Sequence, residues 1–253
     1  MLATTDKWLA GDGVPEDAIL QNFVAYHRLA ADYDKREAAG IEPARAYIDE
    51  IRNLASFEDY ASKIADFELA GKPTYFPFGV APDFMDARIN VLWADGPGTI
   101  LPDTTYYAED HPQKADLLAK WRKAQEDLLA KFDFAEEEIK DLLDKVLELD
   151  AVFAQYVLSS EESSEYAKLY HPYKWEDFKA LVPELPMADI FTKLIGQEPD
   201  QVIVPEERFW QAAKDIYTAT NWDKLHALLI LSAVRNTTPY LTDDIRVLAG
   251  AYH

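Results

Sequence analysis

Five histidines, 46 acidic residues and no cysteine bound the chemistry that this 253-residue chain can carry. Without thiols there are no disulfides, thiolate zinc sites, thiolate-held iron-sulfur clusters or cysteine nucleophiles. His27, His111, His171 and His226 are followed by Arg28, Pro112, Pro172 and Ala227, and His253 is the last residue, so the zinc motif H-E-x-x-H does not occur. Nor does any histidine stand three residues after a glutamate, the spacing used by di-iron helical bundles. A metal site assembled from distant residues is left open by these spacings, against the simpler reading of surface or capping histidines.

Phosphate and serine chemistry have no local support. Gly96-Pro97-Gly98 does not extend to G-x-G-x-x-G and reads as a turn, and neither G-x-x-x-x-G-K-[ST] nor G-x-S-x-G is present. The acidic pairs Glu161-Glu162 and Asp243-Asp244 could act as general acid and base, but among 46 acids they read as solvated or helix-capping. Trp121, Phe153, Tyr156, Trp210 and Trp222 fall in helical stripes and read as core, with a peptide or ligand groove as the alternative. Tyr106 and Tyr107 are different: they follow Leu101-Pro102-Asp103 where helical periodicity is missing, and their hydroxyls suit semi-buried anchors that fix a loop to the helices behind it. The sequence assigns no catalytic, cofactor-binding or metal-ligating residue.

The elements that would position these residues are mostly helical. Phe23, Tyr26, Leu29, Ala30 and Tyr33 recur at helical spacing and predict a helix over 22–39, ended by Gly40. Pro43 opens a second helix that carries Ile48, Ile51 and Leu54, and Ser56 caps a third over 57–69. The period then changes. Segments 75–80 and 88–93 are rich in aromatic and β-branched residues, which predicts a β-hairpin with Pro77 on an edge strand. Two long helices follow, from Pro112 to about Lys131 and from Ala135 to about Leu158, the second with Glu136, Glu137 and Glu138 where a helix dipole favours negative charge. Residues 159–164 read as a polar turn, and 201–204 as a short extended piece. Further helices are predicted over 174–181, 187–195, 206–217 and 222–234, and from Asp243 onward. There is no fixed-period repeat and no shift of composition that marks a boundary. The fold class expected is mainly α: one multi-helix domain over 1–253 with one small β-hairpin.

A formal net charge of -21 repels phosphate backbones and anionic headgroups, so neither nucleic acid nor a membrane surface is expected as partner. No basic and apolar leader opens the chain, and no run reaches the ~20 apolar residues of a membrane span. These features, with the missing cysteines, lead us to expect a cytoplasmic protein.

The segment Leu101-Pro102-Asp103-Thr104-Thr105-Tyr106-Tyr107, followed by the helix containing Trp121, resembles the Leu-Pro-Asp-x-x-Tyr-Tyr segment of the neprilysin-like zinc metallopeptidases, and most closely their bacterial endopeptidases. The helix around Tyr26, Phe57-Glu58-Asp59, Pro82-Asp83, Tyr170-His171-Pro172, Val202-Ile203-Val204 and the stretch from Arg246 to Tyr252 resemble successive pieces of that family's amino-terminal helical region. The resemblance covers most of the chain from about residue 20. Lys7-Trp8-Leu9 resembles the family's opening only in part, which implies that its first segment is partly absent or altered, and no substrate-contacting residue is carried over from it.

The resemblance implies a zinc metalloendopeptidase that hydrolyses oligopeptides. The family's zinc motif, its downstream glutamate ligand and its substrate-binding Asn-Ala-Tyr/Phe segment would all lie beyond His253. This chain is then expected to be the helical substrate-cavity region facing a missing catalytic domain, inactive alone and without metal of its own, the zinc belonging to the full-length enzyme. The competing expectation is a free-standing, non-catalytic helical binding module.

Overall fold

The computed structural model describes residues 2–250. A short helix, α1 (Leu2–Leu9), precedes α2 (Ala18–Ala31) and α3 (Tyr33–Ala39). The helix expected over 22–39 is thus two helices, broken at Asp32. That residue closes α2 with its backbone N-H and accepts the Lys35 N-H on its side chain to start α3. An aspartate's short carboxylate competes with the helical ladder in this way, and periodicity alone does not register it. Gly40 ends α3 at φ 56°, in the left-handed region that glycine tolerates.

The body of the molecule begins at α4 (Glu42–Arg52) and α5 (Phe57–Leu69). Ser56 caps α5 by accepting the Asp59 N-H, as its sequence context predicts. The hairpin is present as β1 (Phe78–Pro82) and β2 (Asn90–Ala94), antiparallel with Val80 opposite Leu92. It is half of a larger sheet. Strands β3 (Pro172–Lys174) and β4 (Gln201–Ile203) join it in the order β1-β2-β4-β3, with β2 and β4 parallel. β1 therefore lies at an edge, next to Pro77, while the three residues of β3 are too few to carry a period.

Alternation along β2 sends Leu92 and Ala94 into the main core and Val91 and Trp93, with Ile203 of β4, into a small second cluster on the other face. The remaining helices are α6 (Lys114–Ala130), α7 (Glu136–Phe153), the single turn α8 (Ser160–Ser163), α9 (Trp175–Lys179), α10 (Met187–Ile195), α11 (Glu207–Ile216), α12 (Trp222–Thr237) and α13 (Asp243–Ala249). The stretch read as a polar turn is α8, held by a capping box in which Ser159 and Glu162 accept each other's backbone N-H groups.

At the centre, α12 packs against α7 and α4, α5 packs against α10, and α6 lies between α7 and α13. α12 is apolar on several faces: Leu225, Leu228, Leu229, Leu231, Ala233 and Val234 are all buried. Such a helix is stable only with neighbours on more than one side. One continuous core runs from Ala44 of α4 to Ile245 of α13. Of the aromatic residues expected in it, Trp121, Phe153 and Trp210 are buried and Tyr156 and Trp222 half-buried.

Candidate functional site: the loop 96–107 and its two cavities

The stretch from Gly96 to Tyr107 leaves β2 and crosses the helical layer before α6 begins. The stretch and the residues just before it are held by hydrogen bonds of four side chains, Trp210, Asp150, Tyr107 and Asp103. Trp210 of α11 donates its indole N-H to the carbonyls of Ala94 and Asp95, at 3.1 and 2.9 Å. Asp150 of α7 accepts the Ile100 N-H at 2.8 Å and the Tyr107 hydroxyl at 2.5 Å. Tyr107 in turn accepts the Leu101 N-H, so one phenol closes the loop on itself and ties it to α7. Asp103 accepts the hydroxyl and N-H of Thr105 at 2.6 and 2.8 Å, starting a 3-10 turn over Thr104–Tyr107, and also the Ser160 N-H at 2.7 Å. The half-buried Tyr107 is the anchor expected from the sequence. Tyr106 packs on His111, ring centroids 4.2 Å apart.

The acids of this region are held in opposite directions by their surroundings. The Thr105 hydroxyl and the Ser160 N-H keep the Asp103 carboxyl well below the usual carboxylate range. Burial raises Asp150 above that range, against the hydrogen bonds it accepts. Burial also raises Glu206 and Asp95, and it pushes the Tyr107 phenol up, with the Asp150 hydrogen bond adding to the shift. Glu206 accepts the Leu158 N-H and lies against Gly96 so closely that a Cβ there would stand 2.8 Å from its Cγ. Glycine at 96 is therefore required by close approach, and its φ lies outside the left-handed region.

Two cavities flank the loop and share Gly98, Thr99 and Ile100 as a common wall. The first, of about 400 Å³, is lined by Trp121, Phe153, Leu231, Ser232, Asp150 and Arg235 among others. The second, of about 830 Å³, lies toward Pro102, Asp103, Leu117, Tyr166 and Glu206. Trp121 and Phe153, read as core from the sequence, are both core and cavity wall. Tyr75 also lines the first cavity, at a φ of 47° in the left-handed region that glycine usually occupies, and its hydroxyl accepts from Ser232 at 2.9 Å. Asp150 is the residue that sequence reasoning passed over. Its signal was there, because it falls four residues after Val146 and three before Phe153, on the apolar face of α7.

The described histidines are dispersed. His171 shares a hydrogen bond with the Val204 carbonyl, His226 shares one with Ile51 and stacks on Trp222, and His111 lies under Tyr106. His27 sits on α2, and His253 lies outside the described residues, as do Ala251 and Tyr252. Among the described residues no group of three or more His, Cys, Asp or Glu side chains is placed to hold a metal ion. Of the acidic pairs, Glu162 holds Arg208 and caps α8, while Asp244 holds Lys131 and Asp243 holds Arg246. Both do structural work.

The described residues thus form a mainly helical body on a four-stranded mixed sheet, with a loop flanked by two cavities. The family model for peptidase family M13 matches residues 4–253, and the chain belongs to that family, as part of its amino-terminal region. The matched region takes in Trp8. The chain is 96% identical over 252 residues to a candidate zinc metalloproteinase in the scaA 5′ region of Streptococcus gordonii, covering 100% of this chain and 45% of that protein. It is 33% identical to a neutral endopeptidase of Lactococcus lactis subsp. cremoris, over 90% of this chain and 36% of that one. The chain thus spans less than half the length of these curated relatives. The crystal structure of PepO from Lactobacillus rhamnosis HN001 shares the fold, with a TM-score of 0.89 at 24% identity over 99% of this chain and 39% of that one. Among the described residues no helix is long and apolar enough to cross a membrane.

Proposed function

We propose that this chain is the helical substrate-cavity region of a zinc metalloendopeptidase acting on oligopeptides. It would behave as one domain that works opposite a catalytic domain not contained in these residues. The observation that carries this reading is the coverage: the whole chain matches 45% of a relative that bears the name of a zinc metalloproteinase. In this reading zinc supplies the polarisation and the activated water that cleave the peptide bond, and it is held by the other part of the protein. What this chain contributes is shape. The loop 96–107 is fixed by Asp150, Asp103 and Trp210 as a rigid wall, and it would confine an extended peptide and exclude folded proteins. The cysteine-free composition supports a cytoplasmic setting.

The test compares this 253-residue chain with a longer protein that contains it, on a fluorogenic oligopeptide, with and without a zinc chelator. The longer protein should cleave and lose cleavage on chelation, and this chain alone should be silent. Zinc-dependent hydrolysis by the chain alone, or silence of the longer protein, would overturn the reading.

A further inference from the structure

The smaller cavity beside the loop, of about 400 Å³, falls in the size range of small-molecule sites, about 300–1,000 Å³. Its wall carries one charge of each sign. Asp150 comes from α7 and Arg235 from α12, two helices that pack on each other at the centre of the molecule. Asp150 is 5% exposed, and the hydrogen bonds it accepts, from the Ile100 N-H and the Tyr107 hydroxyl, come from neutral groups. A carboxylate has about four lone-pair sites, so two bonds do not exhaust it. Arg235 donates at 3.1 Å to the side-chain carbonyl of the buried Gln125, also a neutral group. The Tyr75 hydroxyl lies within reach of both charges: burial raises its pKa most, while Arg235 pulls it down and Asp150 pushes it up. Much of the remaining wall is apolar, with Trp121, Phe153 and Leu231 on it.

We propose that this cavity binds a small zwitterion with an apolar side chain, an aromatic amino acid or a dipeptide ending in one, with its ammonium at Asp150, its carboxylate at Arg235 and its ring against Trp121 and Phe153. The two charges select among ligands. A buried carboxylate is costly until a cation pairs with it, and charge-assisted hydrogen bonds are roughly twice as strong as neutral ones. An amine without a carboxylate would satisfy Asp150 and bring a second cation to Arg235. A carboxylic acid without an amine would meet Asp150 as a like charge and would enter against the chain's net charge of -21. A ligand that carries both groups satisfies both walls and is neutral overall. Its ring gains the offset or edge contacts that aromatic pairs prefer. Because Asp150 also holds the Ile100 N-H, such a ligand would meet the loop 96–107 at the residue that fixes it.

The experiment titrates L-phenylalanine and glycyl-L-phenylalanine into the full-length protein containing this chain, by isothermal calorimetry. Beside them run phenethylamine, which lacks the carboxylate, and phenylpropionate, which lacks the ammonium. At least one zwitterion should bind, and each single-charge analogue should bind at least about tenfold more weakly, the factor expected for one charge-assisted hydrogen bond. The tighter of the two zwitterions tells a free amino acid from a dipeptide as the source. Arg235→Gln and Asp150→Asn should each weaken binding by a similar factor, with the far-ultraviolet circular dichroism unchanged. Location is read with p-azido-L-phenylalanine, whose photolabel, mapped by mass spectrometry, should fall on α7, α12 or the loop 96–107. Equal affinity for all four ligands, no binding of either zwitterion, unchanged affinity in Arg235→Gln, or label confined to other parts of the protein would each overturn the proposal. The label map needs no substitution, so it decides even where Asp150→Asn fails to fold. Zinc-dependent peptide cleavage is measured separately, and zwitterion binding stands or falls whichever way that result goes.

Discussion

Helices α2 and α12 are similar in length and both are apolar, yet they sit at opposite extremes of the molecule. α12 is gripped by α7 and α4 and buries leucines on several faces, while α2 rests on α1 and presents aromatic side chains to solvent. The difference teaches that an apolar stripe records a need for a partner without saying where the partner is. In α12 the partner is other residues of this chain. In α2 the side chains of Phe23, Tyr26 and Leu29 stay exposed among the described residues.

The strongest test of this contrast is a matched pair of truncations. Leu231→Ala in α12 should cost about 2–5 kcal/mol in chemical denaturation, the range for emptying a packed site. Leu29→Ala in α2 of the 253-residue chain should change stability by less than about 0.5 kcal/mol. Similar costs at both positions would erase the distinction. The next largest effect belongs to the loop that the body holds. Tyr107→Phe removes the hydroxyl that serves both Asp150 and the Leu101 N-H, and should cost about 1–3 kcal/mol, read from the same denaturation curves.

At the junction of α2 and α3, Asp32→Ala should cost about 1 kcal/mol of local stability. It should let hydrogen exchange quicken at Lys35 and its neighbours while the amides of α12 stay unchanged. The smallest effect is a pH dependence confined to α12. Burial lowers the pKa of His226, which outweighs its hydrogen bond to Ile51. Its folded pKa lies below the unfolded value, so the stability it contributes is present above about pH 6.5 and is lost as pH falls through the folded pKa. Melting of the chain between pH 7 and 5 should therefore decline less steeply in His226→Gln than in the parent, and parallel curves would count against burial as the cause.

Much of the helical body was legible because its residues repeat at the helical period. The stripe Ile139, Leu142, Leu143, Val146 of α7, the Ser56 cap and the ends of α5 and α10 all lie where local chemistry puts them. The break at Asp32, strand β3 and helix α1 were not legible, since each depends on one side-chain bond, on pairing with β4 or on docking to α2. At the site, Tyr107 could be singled out as an anchor, but its partner Asp150 lies 43 residues away, and no local pattern pairs the two.

The sequence by itself determined the class of elements, the absence of thiol and local zinc chemistry, and through the Leu-Pro-Asp-x-x-Tyr-Tyr segment the family. Periodicity and motif are local properties, and a single chain displays them openly. Only the tertiary structure decided which apolar stripe is core and which is bare, and that Asp150, Asp103, Glu206 and Trp210 converge on one loop. Burial and convergence depend on which distant elements meet, and that is fixed only once the chain has packed.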